Sequence, residues 1–314
     1  MLELDNTNRE TFCTCPRKYQ YSRIMQLKPM KGSSALRFGT VWHAIMEGYY
    51  NTIVAEGWDH IKAMSVGLEM GKEAWNQATQ QLEFWEDYRT FDNAAKLLLE
   101  YIDHYKADKD NVKIVDTEKV FRLRMIPDAS DEEKSLFLHL QTDIYFTGQL
   151  DLRFELNHSP WNMEHKTTSR YLREQAKSLN RSAQFLGYTY ASKELLDFKT
   201  QGCLVSFVHL SSRKNKEGEY GKLTTDFARI PQIYTERDLM SWRLHFFSVC
   251  EQILSCMKRE YFPMNFDSCY RFGTCAYAGL CEQNCNDLKE LNLEGYEVRP
   301  WDVLAGKENK LIEG

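Results

Sequence analysis

Two acidic residues and one lysine interrupt two stretches of sequence whose composition is otherwise typical of β-strands. Asp151 lies within residues 148–154, and Glu164 and Lys166 lie within residues 161–166. Side chains of a strand alternate between its faces, so Glu164 and Lys166 point the same way, and a hairpin can bring Asp151 beside them. Paired carboxylates bind Mg²⁺ or Mn²⁺, and such an ion activates water and stabilises charge at phosphorus, where Lys166 could hold the water or the phosphate oxygens. An exposed strand face with an ordinary glutamate–lysine pair would explain the same tripeptide without chemistry.

A second group that could do chemistry consists of thiols near both ends of the chain. Thiolates bunched in this way suit zinc or an iron–sulfur cluster, and in a reducing compartment they indicate metal binding before disulfides. The residues of this group are Cys13, Cys15, Cys269, Cys275, Cys281 and Cys285. The remaining cysteines stand in apolar or helical surroundings, which favours buried core thiols, and they are Cys203, Cys250 and Cys256.

Three further polar residues lie on predicted helices. His43 begins a helix after Gly39, and Gln184 and Tyr188 are one helical turn apart and therefore share a face. Each also has an ordinary structural explanation. His43 could be a histidine satisfied by the core, and Gln184 and Tyr188 could belong to an ordinary amphipathic helix.

Composition limits the class of protein. The 314 residues are 43% hydrophobic and 13% aromatic, which is sufficient for a buried core. The net charge of −5 argues against a generally basic nucleic-acid coat protein, although a local basic groove remains compatible with it. No apolar run reaches the roughly 18 residues of a membrane span, and the first residues do not look like a secretory signal. We therefore expect a soluble protein of the cytoplasm, without membrane contact.

The order of the predicted elements indicates an α/β core with a helical insertion. Asn8 is predicted to cap a first helix at 9–24, which Pro16 would disturb, and the end of the chain, 305–314, looks poorly ordered. Further helices are expected at 38–54, 58–79, 82–105, 182–196 and 236–260. Strands are expected at 112–125, 136–156, 161–167, 204–210 and 220–230, with a hairpin turn at 157–160.

These residues, in this order, resemble the PD-(D/E)XK nuclease superfamily, specifically its RecB-type branch, which includes the AddB nuclease domain and the CRISPR-associated iron–sulfur exonucleases. The resemblance covers most of the chain and implies a restriction-endonuclease-like core, a central mixed sheet flanked by helices, with an iron–sulfur staple that joins the N- and C-terminal segments. The matching positions are 15–19, Gly39, His43, 148–151, 164–166, Gln184, Tyr188, Cys269, Cys275 and Cys281.

The resemblance also implies roles for individual residues. Asp151 and Glu164 would ligate a catalytic Mn²⁺ or Mg²⁺, His43 would add a nitrogen ligand, and the backbone carbonyl of His165 could add an oxygen. Lys166 would orient the attacking water. The pair Gln184 and Tyr188 would contact the DNA backbone or support the site from behind. Two other acids, Glu118 and Glu47, are candidates that we leave unassigned.

The implied cluster is a 4Fe–4S centre on four cysteines, namely Cys15, Cys269, Cys275 and Cys281. Five residues separate Cys269 from Cys275, where the family pattern often has two. Cys13 could replace Cys15, Cys285 is a spare candidate, and zinc is the alternative metal because four thiolates also satisfy its tetrahedral preference.

The resulting expectation is a DNA exonuclease that acts on single-stranded or resected ends in recombination, repair or phage DNA metabolism, in a bacterial or phage-infected cell. The alternatives are a structure-selective endonuclease and a DNA-binding subunit that needs a helicase or annealing partner. DNA contacts are expected from the exposed cations that follow the catalytic strand, with Tyr171 and Phe185 stacking on unpaired bases. These cations are Arg170, Arg173, Lys177 and Arg181.

The expected domain organisation follows from the same motifs. An N-terminal helix carrying a cluster cysteine precedes a helical block with the histidine motif, the nuclease core, a cysteine-rich segment and a tail. The expected boundaries are 1–35, 36–110, 111–262, 263–290 and 291–314.

Overall fold

The computed structural model describes ten parts of the chain, and it divides them between two compact units. The first unit comprises Met1–Gly32, Val120–Gly148 and Arg237–Gly314, and the second comprises Ser33–Lys119 and Gln149–Glu236. Cys285 and parts of the elements predicted at 82–105, 136–156 and 182–196 lie outside the described residues. The described residues are 1–30, 32–80, 87–126, 137, 139–140, 142–195, 198–271, 273–283, 288–300 and 310–314.

Seven helices of eight residues or more carry the helical part of the described chain. In chain order they are α1 (Asn6–Thr14), α2 (Ser34–Glu56), α3 (His60–Thr79), α4 (Phe91–His104), α5 (Leu172–Leu179), α6 (Ala183–Leu195) and α7 (Glu236–Lys258). The first four begin after a residue whose side-chain oxygen accepts a hydrogen bond from a first-turn backbone N–H, which satisfies donors that have no partner within the helix. These capping residues are Asp5, Ser33, Asp59 and Thr90.

The strands are more numerous than the sequence predicts, because four short ones join the five expected. They are β1 (Leu2–Asp5), β2 (Leu27–Pro29), β3 (Val112–Met125), β4 (Ile144–Leu156), β5 (Ser159–Thr168), β6 (Gly202–Ser211), β7 (Thr224–Ile233), β8 (Tyr296–Val298) and β9 (Leu311–Glu313). Strands β3 and β4 each pass from one unit to the other along the chain.

In the second unit, the strands form a mixed sheet flanked by helices. The order is β7-β6-β5-β4, with β4–β5 and β6–β7 antiparallel and β5–β6 parallel. Asn157 and His158 both have positive φ (48° and 66°), which is the geometry of the two-residue turns that join adjacent antiparallel strands. Helices lie on both faces: Tyr50 of α2 stacks on His165, whereas Gln184 of α6 contacts residues that point the opposite way.

Helices α2 and α3 approach each other so closely that only glycine fits at their contact. A Cβ atom at Gly67 would lie 2.7 Å from the carbonyl oxygen of Ile45, and one at Gly48 would lie 2.9 Å from the Cα atom of Gly67. The helices pack into an apolar core, whose largest buried members include Phe38, Trp42 and Ile45. This packing holds the backbone of α2 in place.

The first unit has its own strand pairs and its own core. β1 runs parallel to β4, β9 runs parallel to β3, and β2 pairs with β8 in antiparallel fashion. Phe146 packs edge-on against Trp242 and Phe246 of α7, with ring centroids 5.0 and 5.4 Å apart, and also contacts Phe121.

Three expectations about local structure are wrong. Asp5, not Asn8, caps the first helix, since the carboxylate of Asp5 accepts from the Asn8 backbone N–H at 2.7 Å. This helix ends at Thr14, because Cys15 precedes Pro16 and adopts an extended conformation (φ −163°, ψ 114°). The chain end was expected to be poorly ordered, yet β9 forms there; residues 305–309 lie outside the described part.

The α2–α3 contact gives the first testable prediction. Gly67→Ala should lower the free energy of unfolding by about 1–3 kcal/mol, because the added methyl group meets backbone atoms that cannot rotate away. The measurement is the midpoint of urea unfolding. Gly39→Ala, on the partner helix α2, is the control, because its added Cβ would lie 3.7 Å from the nearest atom, an ordinary contact. Equal midpoints for the two variants would contradict the prediction.

Candidate functional site

Asp151 and Glu164 face each other across the β4–β5 hairpin. The register pairs Leu152 with Met163, so Asp151 and Glu164 follow one residue further along the two strands. Both side chains are buried, and the backbone N–H of His165 donates to Oδ2 of Asp151 at 2.8 Å. The proximity expected from the hairpin pattern is therefore present.

His43 approaches the same carboxylate from α2. Its Nδ1 atom lies 3.4 Å from Oδ2 of Asp151, and its side chain is 36% exposed. Burial disfavours the charged imidazolium, but the Asp151 carboxylate outweighs that effect and raises the pKa of His43 to about 9. Burial likewise disfavours the Asp151 carboxylate, yet the positive charge of His43 holds the pKa of Asp151 below its ordinary value.

Glu118 joins His43 and Asp151 in a group of three possible metal ligands. Its sequence context alone did not assign it to the site. The ligand atoms of His43, Glu118 and Asp151 all lie within 4.8 Å of one another. Glu118 is buried in β3 and has a φ of 50°, a left-handed conformation that is uncommon for a residue other than glycine. Strained conformations of this kind concentrate at functional sites. Glu47, the other unassigned acid, does not belong to this group.

The two oxygens of Glu164 have different surroundings. Oε1 accepts from Nζ of Lys166 and from Nε2 of Gln184, both at 2.6 Å, and Lys166 also donates to Oε1 of Gln184 at 3.2 Å. Oε2 is buried and has no hydrogen-bond partner among the described residues. A buried carboxylate oxygen without a partner is costly, and a bound cation at Oε2 would remove that cost.

Charge interactions within this group shift two further pKa values. Burial, followed by the Asp151 carboxylate, raises the pKa of Glu164. For Lys166, burial acts in the opposite direction, but the Glu164 carboxylate raises its pKa, so the amine stays charged. Lys166 is therefore a charged hydrogen-bond donor to Glu164.

Two further residues predicted for the site, His165 and Tyr188, are both buried. The ring of His165 stacks on that of Tyr50, with centroids 5.7 Å apart, and burial lowers its pKa to about 3, so the imidazole is neutral. Tyr188 lies one turn after Gln184 on α6 and is buried, and its backbone carbonyl accepts from Nδ2 of Asn162 at 3.4 Å.

Cys15, Cys269, Cys275 and Cys281 form a second group, within the first unit. The Cys275 backbone N–H donates to the Cys269 carbonyl at 2.8 Å. Burial raises the pKa of Cys269, and negative charge on Cys275 and Cys15 raises it further. Burial also raises the pKa of Cys281; a hydrogen bond with Tyr21 lowers it, and negative charge on Cys15 and Cys275 raises it. The thiols therefore lie close enough for the charge of one to shift the pKa of another.

A small apolar core lies beside two of these thiols. Cys275 and Cys281 pack against buried Tyr21, Tyr277 and Leu280. Such surroundings exclude water from a bound metal centre and raise the cost of ionised thiols that have no metal.

Two alternative cluster ligands have different positions. Cys13 is exposed, with its sulfur 3.8 Å from an Arg9 nitrogen. Cys285, the other alternative, lies outside the described part of the chain.

The residues expected to contact DNA differ in their exposure to solvent. Arg170, Arg173, Lys177 and Arg181 are exposed, and Tyr171 is 68% exposed. Phe185, by contrast, is only 2% exposed, so the expectation that it stacks on bases is wrong. Phe185 lies on the face of α6 that packs inward, where its apolar ring is covered by protein.

Comparison with known proteins places most of the chain in one family. Residues 6–282 match the model of the PD-(D/E)XK nuclease superfamily, a range that includes both groups of candidate residues. No curated protein matches the chain. Within the described residues, none of the helices has the length and apolar character required to cross a membrane.

The raised pKa of His43 predicts that Mn²⁺ binding releases protons. Below pH 9 the metal-free imidazole is protonated, and a metal ligand must be neutral, so binding near pH 7.5 should release about one proton from His43 and tighten as the pH rises toward 9. Without metal, the stability that the His43–Asp151 pair contributes is complete below about pH 6.5 and is lost as the pH rises through about 9.

Calorimetric Mn²⁺ titrations in two buffers of different ionisation enthalpy measure the number of protons released. His43→Asn should lower that number by about one. His60→Asn is the matched control, because His60 contacts Tyr49, away from the carboxylates. An unchanged number in His43→Asn would show that another group carries the proton.

Proposed function

The chain belongs to the PD-(D/E)XK nuclease superfamily, and on that premise we propose that it is a metal-dependent exonuclease that hydrolyses phosphodiester bonds at DNA ends. Family membership itself suggests a metal-dependent nuclease acting on DNA. The observation that carries the proposal is the buried Oε2 atom of Glu164, which lacks a partner among the described residues, in a site that also contains Asp151 and Lys166.

The donors present fit a divalent cation. His43, Asp151 and Glu118 offer one nitrogen and two carboxylates within 4.8 Å, and Glu164 offers its second oxygen. Oxygen donors of this kind suit Mg²⁺ and Mn²⁺, and the single imidazole suits Mn²⁺ at least as well as Mg²⁺. The bound ion would supply Lewis-acid stabilisation of the charge that develops on the phosphate.

The chain's own groups position the reactants. Lys166 is 36% exposed on its side chain, whereas Glu164 is 5% exposed, so the ammonium group can reach both the buried carboxylate and a substrate. We assign Lys166 to holding the attacking water or a phosphate oxygen. Gln184 holds both Glu164 and Lys166 and so keeps their relative geometry fixed.

Action at DNA ends rests on the resemblance to the RecB-type branch, whose relatives include exonucleases. The same site in a more open channel would give an endonuclease. The presence of Asp151, Glu164 and Lys166 argues against a subunit that only binds DNA. A role in recombination, repair or phage DNA metabolism, with a helicase or annealing partner in the cytoplasm, belongs to the same proposal.

Cleavage assays with linear single-stranded, linear duplex and circular DNA test this proposal, each with Mn²⁺, Mg²⁺ or EDTA. The expected result is metal-dependent loss of linear DNA and resistance of circles. Glu164→Ala should lower the rate at least about a hundredfold, because it removes a metal ligand and the partner of Lys166. Glu194→Ala, which removes an exposed carboxylate of α6, is the matched control.

The outcomes separate the candidate functions. Cleavage of circles would identify an endonuclease. Failure of the wild-type protein to cleave any substrate would favour the DNA-binding subunit over both nuclease functions. Equal activity of Glu164→Ala and wild type would show that another group of residues carries the reaction.

We also propose that Cys15, Cys269, Cys275 and Cys281 bind a 4Fe–4S cluster. Support comes from the effects of these thiols on one another's pKa values and from ligands that come from both ends of the chain, whereas zinc modules usually draw theirs from local pairs. The cluster's role would be structural.

Analysis of anaerobically purified protein checks the cluster. We expect about four iron and four sulfide per chain, with broad visible absorption. Cys269→Ser should lose this absorption and melt at a lower temperature, because a metal centre that binds only the folded state stabilises it. Cys256→Ser, in a partly buried position of α7, is the matched control. One zinc per chain without colour would contradict the proposal.

A further inference from the structure

Two neighbouring cavities lie where the catalytic strand β5 ends. The inner cavity, about 250 Å³, is lined by Thr167 and Thr168, which directly follow Lys166, and by Arg170. The outer cavity, about 600 Å³, shares Ser169 with the inner one. Its other lining residues include Tyr171, His209, Ser211, Arg213 and Lys222. A volume of this size falls within the roughly 300–1,000 Å³ of small-molecule sites, so it accommodates a single nucleotide.

The sheet register places the outer cavity close to the active site. β5 and β6 run parallel, and Thr168 pairs with His209. His209 is therefore beside a residue that is two positions from Lys166, or roughly 7 Å along the strand. A DNA strand that binds at Lys166 would reach the outer cavity within a few nucleotides.

Tyr171 presents one face of its ring at this cavity. Its ring lies nearly parallel to that of His209, with an angle of 9° and centroids 6.3 Å apart. His209 is buried, and its two ring nitrogens are 3.0 Å from the Arg170 carbonyl and from Oγ of Ser211. The buried imidazole thus supports one face of the tyrosine ring. The tyrosine itself is 68% exposed, so its other face can receive a flat ligand.

A basic hairpin, residues 212–222, forms the other wall. Its turn is closed by backbone hydrogen bonds from Gly221 to Arg213 and from Asn215 to Glu219. Four cations outnumber the two acids, Glu217 and Glu219, and the cations are Arg213, Lys214, Lys216 and Lys222. In the described chain, neither Arg213 nor Lys222 forms an ion pair, so both charges are available to a ligand.

We propose that the outer cavity is a subsite for one unpaired nucleotide of a single DNA strand, with the base stacked on Tyr171 and the flanking phosphates on Arg213 and Lys222. The inference rests on the proposed nuclease function and adds a specificity for single strands. Inside a duplex, neighbouring pairs cover both faces of each base pair, whereas an unpaired base can offer a face to Tyr171. The described lining residues include hydroxyl and cationic groups and no acidic residue, which suits a phosphodiester chain.

Removal of the tyrosine ring tests the stacking. Fluorescence anisotropy with a short oligo-dT and with a blunt duplex, both in Ca²⁺ to suppress cleavage, gives the two dissociation constants. Tyr171→Ala should weaken oligo-dT binding by about five- to a hundredfold, the effect of losing one base stack, and should affect the duplex far less. Tyr171→Phe keeps the ring and should restore most of the single-strand affinity.

Removal of one cation tests the phosphate contacts. Lys222→Gln should weaken oligo-dT binding and reduce the slope of log K against log salt by about 0.7, the effect of one lost phosphate contact on a single strand. Lys199→Gln is the matched control. Lys199 is exposed near the start of β6, roughly 30 Å along that strand from the cavity.

The outcomes distinguish this proposal from the proposed function. If wild type cleaves DNA but Tyr171→Ala binds oligo-dT as tightly as wild type, the subsite is wrong and the nuclease stands. If wild type binds oligo-dT through Tyr171 but cleaves nothing, the subsite stands and the nuclease function is wrong. Equal losses on oligo-dT and duplex would overturn the single-strand specificity.

Discussion

Three buried carboxylates in one small region impose the constraint on which the rest of this site depends. Asp151, Glu164 and Glu118 carry three negative charges when ionised, and Lys166 supplies one positive charge. A protonated His43 leaves a net charge of −1, and a neutral His43 leaves −2, which a divalent cation balances. The raised pKa values of His43 and Glu164 have the same origin, because nearby carboxylates, together with burial for Glu164, favour the protonated form of each group.

The surrounding fold holds the charges at fixed positions. The two left-handed residues of the β4–β5 turn set the register, and a slip of one residue would turn Asp151 to the other face of the sheet. On the helical side, close packing at Gly67 fixes α2, which carries His43. Two donors on Oε1 of Glu164 orient the carboxylate and leave its second oxygen in a defined direction. The electrostatic centre is therefore organised before any ligand arrives, which is the condition for effective electrostatic catalysis.

The sequence alone predicted the structure correctly where the local pattern of residues determines it. The bounds of β3 match the prediction, and Asp151, Glu164 and Lys166 meet because strand alternation and a short turn leave few alternatives. Glu118 was not assigned, since its positive φ breaks the alternation that the prediction assumes. The pairing of β9 with β3 joins residues almost 200 positions apart, and no local signal encodes it. Phe185 shows the same limit: helical periodicity alone did not reveal that its face is covered.

Parallel pairing of β5 with β6 explains why Lys166 and the outer cavity lie at one edge of the sheet. Parallel strands need a crossover, and here α5 and α6 form it, starting from Tyr171 and carrying Gln184 on the way back. An antiparallel pair would have placed His209 at the far end of the sheet from Thr168. The crossover thus brings together the exposed ring of Tyr171, a helix residue that holds Lys166, and the ends of two strands. Specificity for an unpaired strand can then change through the hairpin and Tyr171 while the buried carboxylates stay as they are.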